Sequence, residues 1–368
     1  MEQAVNKDFT DIKSSIMLWV YEVLVVLFNE TGAFLIKMGR VALLTETSVS
    51  VVDDWCYCSE VMTEFWMTNL PPEITSRPLT SLVIPGSHDS CANVLFAQYP
   101  VANDATNTIQ RFGRMPYGRQ IIRRWALTQR LNMCEQLEAG IRYFDMRISV
   151  PNCSLVKGIR VLHALYGREL QAALTEINDF LKKHPKEVII LDFNHFYNFD
   201  TESCKSFLKI LESSFGLNRF CPRRQATEVS LNYMWENSYQ IIAICANLTC
   251  TGETNWVWGS ECILSPYPNV NRLDLLFQIL EETMKHHREA PLNRFYVTQA
   301  ILTARIRDVC LHLFSSLEEV FARKCTQKAI TWISDYPKPS SFNIIICDFV
   351  EIDNYCKSVI GLNYKTDL

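Results

Sequence analysis

The chain has 368 residues, 48% hydrophobic and 21% charged, usage that excludes disordered, collagen-like and low-complexity classes. With 36 basic against 40 acidic residues its formal net charge is −4, which excludes a globally basic nucleic-acid binder and leaves room for a local basic stripe. A chain this long can bury most of its apolar surface without disulfides, as two domains of about 150 residues or as one α/β barrel with insertions.

The start, Met1-Glu2-Gln3-Ala4, lacks the basic region and small-residue cleavage site of a signal peptide, so a reducing, cytoplasmic setting is expected. The 14 cysteines are scattered from Cys56 to Cys356 without a CxxC pair, which points to free thiols rather than a zinc ribbon or a redox motif. Sequons at Asn29, Asn152 and Asn247 are then chance matches. Ile16 to Phe28 is apolar except for Glu22. At roughly 20 Å as a helix it is too short to span a bilayer. Residues 1–70 are expected to form an N-terminal helical extension of unknown role. A membrane-surface helix carrying Trp19 and Tyr21 at the interface is the alternative.

From about residue 75 short apolar runs alternate with helical stretches. The runs are Ser81–Pro85, Ile141–Asp145, Arg160–His163, Glu187–Asp192, Gln240–Cys245, Arg294–Thr298 and Asn343–Asp348. The clearest helix is Arg168–His184, with Leu170, Ala173, Leu174, Ile177 and Leu181 on one face and Pro185 closing it. Near-continuous Ile/Val/Leu strands between amphipathic helices imply a parallel sheet covered on both faces. That many strands in one run suggest an irregular barrel, with residues 71–368 as one unit.

Polar residues gather where these strands end: His88-Asp89, Asp145-Met146-Arg147, His163, Asp192-Phe193-Asn194-His195 and Asp348. In a barrel those ends share one face, where active sites are built. A single histidine there can be a turn or core residue. The pair His88 and His163 around Arg147 makes joint sense, because one imidazole can take a proton from an attacking hydroxyl while the other supplies one to the leaving oxygen. Arg147 would present a guanidinium fork to phosphoryl oxygens. His184, His286, His287 and His312 look structural.

Ile84-Pro-Gly-Ser-His-Asp-Ser90, Gly140-Ile-Arg-Tyr-Phe-Asp-Met-Arg147, the His163 run and Val188-Ile-Ile-Leu-Asp-Phe-Asn-His195 resemble the X-box of phosphatidylinositol-specific phospholipase C. The match continues through Ile242–Asn247, Trp256–Trp258, Thr298–Leu302 and Cys347–Val350. The pattern is similar to the small eukaryotic PI-PLC X domain-containing proteins, over about residues 70–362 with the X-box core at about 75–250. This resemblance implies a distorted TIM barrel and two-histidine phosphodiester cleavage of an inositol phospholipid. His88 would deprotonate the inositol 2-hydroxyl and His163 would protonate the diacylglycerol oxygen. Asp89 and Arg147 would handle the phosphate, and Asp348 would orient the base. Asp145 would orient Arg147 or substrate, and Asp192 and Asn194 would face the inositol ring.

Calcium-dependent members carry Asn after the first histidine, a second acid in the strand-two motif and Glu before the Asn-His. Here those places hold Asp89, Arg147 and Phe193. Calcium needs six to eight oxygen ligands and an arginine among them would repel it, so metal-independent chemistry with no cofactor is expected.

Between Ala105 and Cys134 stand six arginines and no acid, interleaved with Phe112, Met115, Tyr117 and Trp125. A solvated helix face is one reading. The other is an anionic-lipid contact through Arg119, Arg123, Arg124 and Trp125, each basic residue adding about 1 kcal/mol near an acidic leaflet. The alternatives to a phospholipase C are a catalytically silent phosphoinositide-binding scaffold and a metal-dependent glycerophosphodiesterase. Arg147 and Phe193 argue against the latter. A serine hydrolase is excluded by the lack of a G-x-S-x-G elbow. Protein partners are not readable from the sequence.

Overall fold

Period-two alternation sorts the strand side chains between two cores. The computed structural model describes residues 63–365 except 253, 290–292 and 338–340, and the side chains of 286–289 are not described either. The helix expected at Ile16–Phe28 lies outside the described residues, as do most of the 1–70 extension, Cys56 and Cys58.

The strands are β1 (Ile84–Ser87), β2 (Tyr143–Ser149), β3 (Arg160–His163), β4 (Leu165–Glu169), β5 (Ile189–Tyr197), β6 (Ile241–Cys245), β7 (Val257–Gly259), β8 (Ile263–Leu264), β9 (Phe295–Gln299) and β10 (Ile344–Cys347). Eight of them run parallel in the order β7-β6-β5-β2-β1-β10-β9-β8. The 3₁₀ turn Ser260–Cys262 joins β7 to β8, and among the described residues no ladder pairs these two strands. The result is a curled, distorted (β/α) barrel with its seam at that turn.

One expected barrel strand has another role. Arg160–His163 is antiparallel to β2 and pairs with β4, forming a hairpin beside the barrel. Four residues with two apolar ones look the same in either setting. The left-handed turn residue that makes the hairpin is Ala164, at φ 56°, a residue type that gives no turn signal.

Inside the barrel, Ile84, Ile190, Ile242, Ile244, Val297, Ile344 and Ile346 pack together. Their neighbours in sequence point outward: Ile189, Leu191, Phe193, Ala243 and Ile345 meet the helices. The helix Leu170–Lys183 buries the expected face, with Phe180 added, and stops at His184 before Pro185. Each such fully buried aliphatic side chain stabilises by about 1.5–3 kcal/mol.

Gly86 also faces the interior, where a Cβ would come within 2.8 Å of both Ile346 and Tyr143. Below β2 and β5 lies a fully buried ion pair. Arg142 Nε and Nη2 donate to Glu187 Oε2 at 2.9 and 2.8 Å, and Nη1 donates to the carbonyls of Leu137 and Ile141. Thr68 N and its hydroxyl donate to Glu187 Oε1, which ties the first described residues to the barrel base. Among the described residues no disulfide joins the twelve cysteines.

Candidate active site

Inward positions change from apolar to polar on climbing the strands. Tyr143 is followed by Asp145 and Arg147 on β2, and Ile190 by Asp192 and Asn194 on β5. The β2–β5 register shifts after Met146, so that Arg147 pairs with His195 and Asn194 is left over as a bulge. Bulges re-aim side chains. Here Asn194 Nδ2 donates to Asp145 Oδ1 at 2.6 Å, and His195 Nδ1 lies 2.7 Å from Asn194 Oδ1.

β1 ends in the tightest part of the site. Asp89 takes φ 40°, a backbone region that costs on the order of 1 kcal/mol for a non-glycine residue and is enriched at functional sites. Its N–H donates to Asp145 Oδ2 at 3.0 Å, and its carbonyl accepts from Thr128 Oγ1 at 3.1 Å. This turn aims His88 and Asp89 at each other. His88 Nδ1 meets Asp348 Oδ1 at 2.7 Å, and its Nε2 is 3.2 Å from Asp89 Oδ2 and 3.3 Å from Arg147 Nη2. Arg147 Nε lies 2.5 Å from Asp89 Oδ1. His163 completes the set, with Nε2 3.4 Å from Asp89 Oδ2 and Nδ1 2.8 Å from the Ala126 carbonyl. The two imidazole centroids are 6.3 Å apart. The side chains of Arg147 and His163 are 22% and 24% exposed while Asp89 is 1% exposed, so a mouth opens over the two imidazoles and the guanidinium.

The charges are strongly coupled. Burial pushes the Asp89 carboxyl up, but Arg147, His163 and His88 outweigh it and hold its pKa at about 2. Burial likewise opposes a proton on His88. Asp89, Asp348 and Asp145 overcome it and raise the imidazole to about 9. The Asp348 contact fixes which nitrogen faces the mouth: Nδ1 is taken, Nε2 is presented.

The structure brings His88, Asp89, Asp145, Arg147, His163, Asn194 and Asp348 together. It redistributes two roles. Asp89, not Asp145, grips Arg147, whereas Asp145 holds the Asp89 backbone and Asn194. Asp192 is 3% exposed, bonded to the Tyr143 hydroxyl at 2.6 Å and to the Asn194 side chain. Burial raises its carboxyl to about 7. Asp192 therefore touches the open site through Asn194.

His88, Asp89 and Asp145 offer ligand atoms within 4.8 Å of one another, close enough to share a cation. The Arg147 guanidinium already sits against two of the three, and a fixed positive charge there opposes a divalent ion.

The basic insert holds two helices, Asn107–Phe112 and Gly118–Ala126, the second carrying Arg119, Arg123, Arg124 and Trp125. Trp125 is 8% exposed and packs on Phe321, so it is a core residue and not a lipid anchor. Arg123 Nε donates to the Leu95 carbonyl, and Arg124 donates to the carbonyls of Leu313 and Phe314. Arg119 is half-buried. Of the tryptophans later in the chain, Trp258 is fully buried.

Three contributors escaped sequence reading: the Ala126 carbonyl, Gln129, which donates to the His88 and Cys347 carbonyls, and Asp104, which accepts from Ala164 N at 2.7 Å. None sits at a strand end or in a motif.

No protein-family model matches the chain. Among solved structures it resembles the phosphatidylinositol-specific phospholipase C from Listeria monocytogenes, with a TM-score of 0.56, 20% identity and coverage of 82% of this chain and 99% of that one. A variant of the Staphylococcus aureus enzyme of the same name gives a TM-score of 0.57 at 15% identity, covering 83% and 98%. These likenesses show the fold, a TIM-type barrel. Sequence relatives are nearer. PI-PLC X domain-containing protein 2 of Mus musculus is 34% identical over 306 residues, covering 83% of this chain and 89% of that protein. PI-PLC X domain-containing protein 3 of Homo sapiens is 34% identical over 305 residues, covering 82% and 94%. At that identity, over nearly the whole of each relative, the chain belongs to the family of PI-PLC X domain-containing proteins.

Proposed function

We propose that the protein is a phospholipase C that cleaves inositol phospholipids to diacylglycerol and an inositol phosphate, using two histidines and an arginine in place of a metal ion. The observation that carries this reading is the convergence of His88 Nε2, Arg147 Nε and His163 Nε2 on the Asp89 carboxylate. His88, held at Nδ1 by Asp348, takes the proton of the inositol 2-hydroxyl, whose oxygen attacks phosphorus. His163 gives a proton to the diacylglycerol oxygen as the P–O bond breaks, leaving a cyclic inositol phosphate. Arg147 stabilises the charge that builds on the phosphoryl oxygens.

Peripheral contact with an anionic membrane fits the same face. Tyr117, Leu248, Leu311 and Phe314 are 66–80% exposed and all lie on connections that leave the C-terminal ends of barrel strands. Large exposed apolar side chains on such connections favour a lipid surface. Among the described residues no helix is long and apolar enough to cross a membrane.

The test is headgroup release from phosphatidylinositol vesicles by wild type, His88→Ala and His163→Ala, with vesicle sedimentation run alongside. The expected result is release that both variants lose by at least ~100-fold while still sedimenting. Wild-type sedimentation without release would replace the enzyme by the scaffold.

A further inference from the structure

His163 is the last residue of β3, and its aim depends on the residue after it. Ala164 adopts the left-handed region at φ 56°, which strains a residue bearing a Cβ and persists only where neighbours enforce it. One segment supplies both restraints. The Ala164 N–H donates to Asp104 Oδ2 at 2.7 Å, and its carbonyl accepts from Ala102 N at 2.8 Å. Val101 bridges Leu165 on the far side of the turn.

We infer that Asp104 is a positioning residue for the acid histidine, clamping the left-handed turn that presents His163 to the phosphate site. The inference rests on the acid role proposed for His163. A turn clamp alone needs one acceptor, which an asparagine would supply. Asp104 keeps a second oxygen, Oδ1, buried and without a partner, a costly arrangement unless its charge is used. Burial raises the Asp104 carboxyl, and His163, the Ala164 N–H and Arg147 pull against that rise, so the carboxyl and the site interact. The other groups facing His163 are Asp89 at Nε2, which also holds Arg147, the His88 ring, and the Ala126 carbonyl at Nδ1. His195 and Tyr197 of β5 sense the same Asp104 and Arg147 charges.

The experiment compares Asp104→Ala and Asp104→Asn in the full chain by phosphatidylinositol turnover across pH and by nitrogen NMR of the labelled His163 imidazole. For Asp104→Ala we expect kcat to fall about 10- to 100-fold with KM nearly unchanged, and the His163 signals to show a changed tautomer balance. Asp104→Asn, which retains the Ala164 bond but not the charge, should recover at least ~10-fold of kcat while staying below wild type. Unchanged His163 signals and unchanged kcat in folded Asp104→Ala would overturn the inference. The NMR arm needs no turnover: if wild type is inactive, His163 signals that move in the variants uphold the positioning and sink the enzyme reading alone. Should Asp104→Ala not fold, the Asn variant decides, and wild-type kcat with unmoved His163 signals there counts against Asp104.

Discussion

Replacing Asp348 by Asn removes the carboxylate that grips His88 Nδ1 at 2.7 Å and perturbs the site in two opposing ways. A hydrogen bond to a charged group contributes about 1.5–3 kcal/mol, against about 0.5–1.5 for the neutral one an asparagine can still make, and that difference of about 1–1.5 kcal/mol corresponds to a roughly 5- to 10-fold lower limiting kcat/KM. The same substitution removes one of three carboxylates that lift His88 to about 9, so the imidazole loses its proton at lower pH. With a pKa near 9 only about one wild-type molecule in a hundred carries the neutral base at pH 7. An assay at pH 7 alone would therefore mix a slower base with a larger competent fraction. The informative measurement is kcat/KM from pH 5.5 to 10, which reports the free enzyme. Because cleavage also needs a proton on the acid, the wild-type profile should be a bell whose acid limb is set by His88. Asp348→Asn should show a lower maximum, with the acid limb moved to lower pH. A variant profile that superimposes on the wild-type one would refute the assignment of Asp348 as the residue that orients and charges His88.

Arg147→Lys keeps a positive charge but loses the planar fork, so kcat should drop by about 10²–10³ with no recovery on adding calcium; calcium rescue would show that the site can take the ion. Glu187→Gln leaves Arg142 buried without its counter-charge, and chemical denaturation should report a loss of about 3–5 kcal/mol; a change below ~1 kcal/mol would mean the pair is worth little. Gly86→Ala forces a Cβ to within 2.8 Å of Ile346 and Tyr143 and should cost about 1–3 kcal/mol, read as a lower Tm with reduced activity. Stability should also depend on pH at both ends. His88, raised from 6.5 to about 9, contributes stability that is complete below pH 6.5 and lost as pH rises through 9. Asp89, lowered from 3.8 to about 2, contributes stability present above pH 3.8 and lost as pH falls through 2. Thermal melts should therefore peak between about pH 4 and 6.5, and His88→Ala should flatten the alkaline side. A wild-type Tm that keeps rising past pH 9 would contradict the charge assignment at His88.

Much of the barrel was legible because its strands combine branched apolar runs with polar ends. Ile189–Leu191 and Ile344–Ile346 are continuous branched apolar runs, as a strand buried on both faces requires, and Asp192 and Asp348 mark where each opens to the site. The shortest strands, Val257–Gly259 and Ile263–Leu264, are too brief to show any period. The hairpin role of Arg160–His163 was hidden because its turn uses an alanine where glycine or asparagine would have announced it. Arginines were the least readable residues. Arg147 could be placed from its strand end, whereas Arg123 and Arg124 look like a free basic stripe in sequence and spend donors on distant backbone carbonyls in the fold. Burial of Trp125 against Phe321 depends on a contact 196 positions away and leaves no local trace. Asp104 is invisible for the same reason, since its partner Ala164 is brought near only by the hairpin.

The most direct test of metal-free, two-histidine cleavage is phosphorus NMR of phosphatidylinositol vesicles incubated with the protein in excess EGTA, beside His88→Ala and His163→Ala. The expected spectrum shows a cyclic inositol phosphate resonance growing with wild type and absent with both variants. A resonance that appears only after calcium is restored would contradict the role given to Arg147.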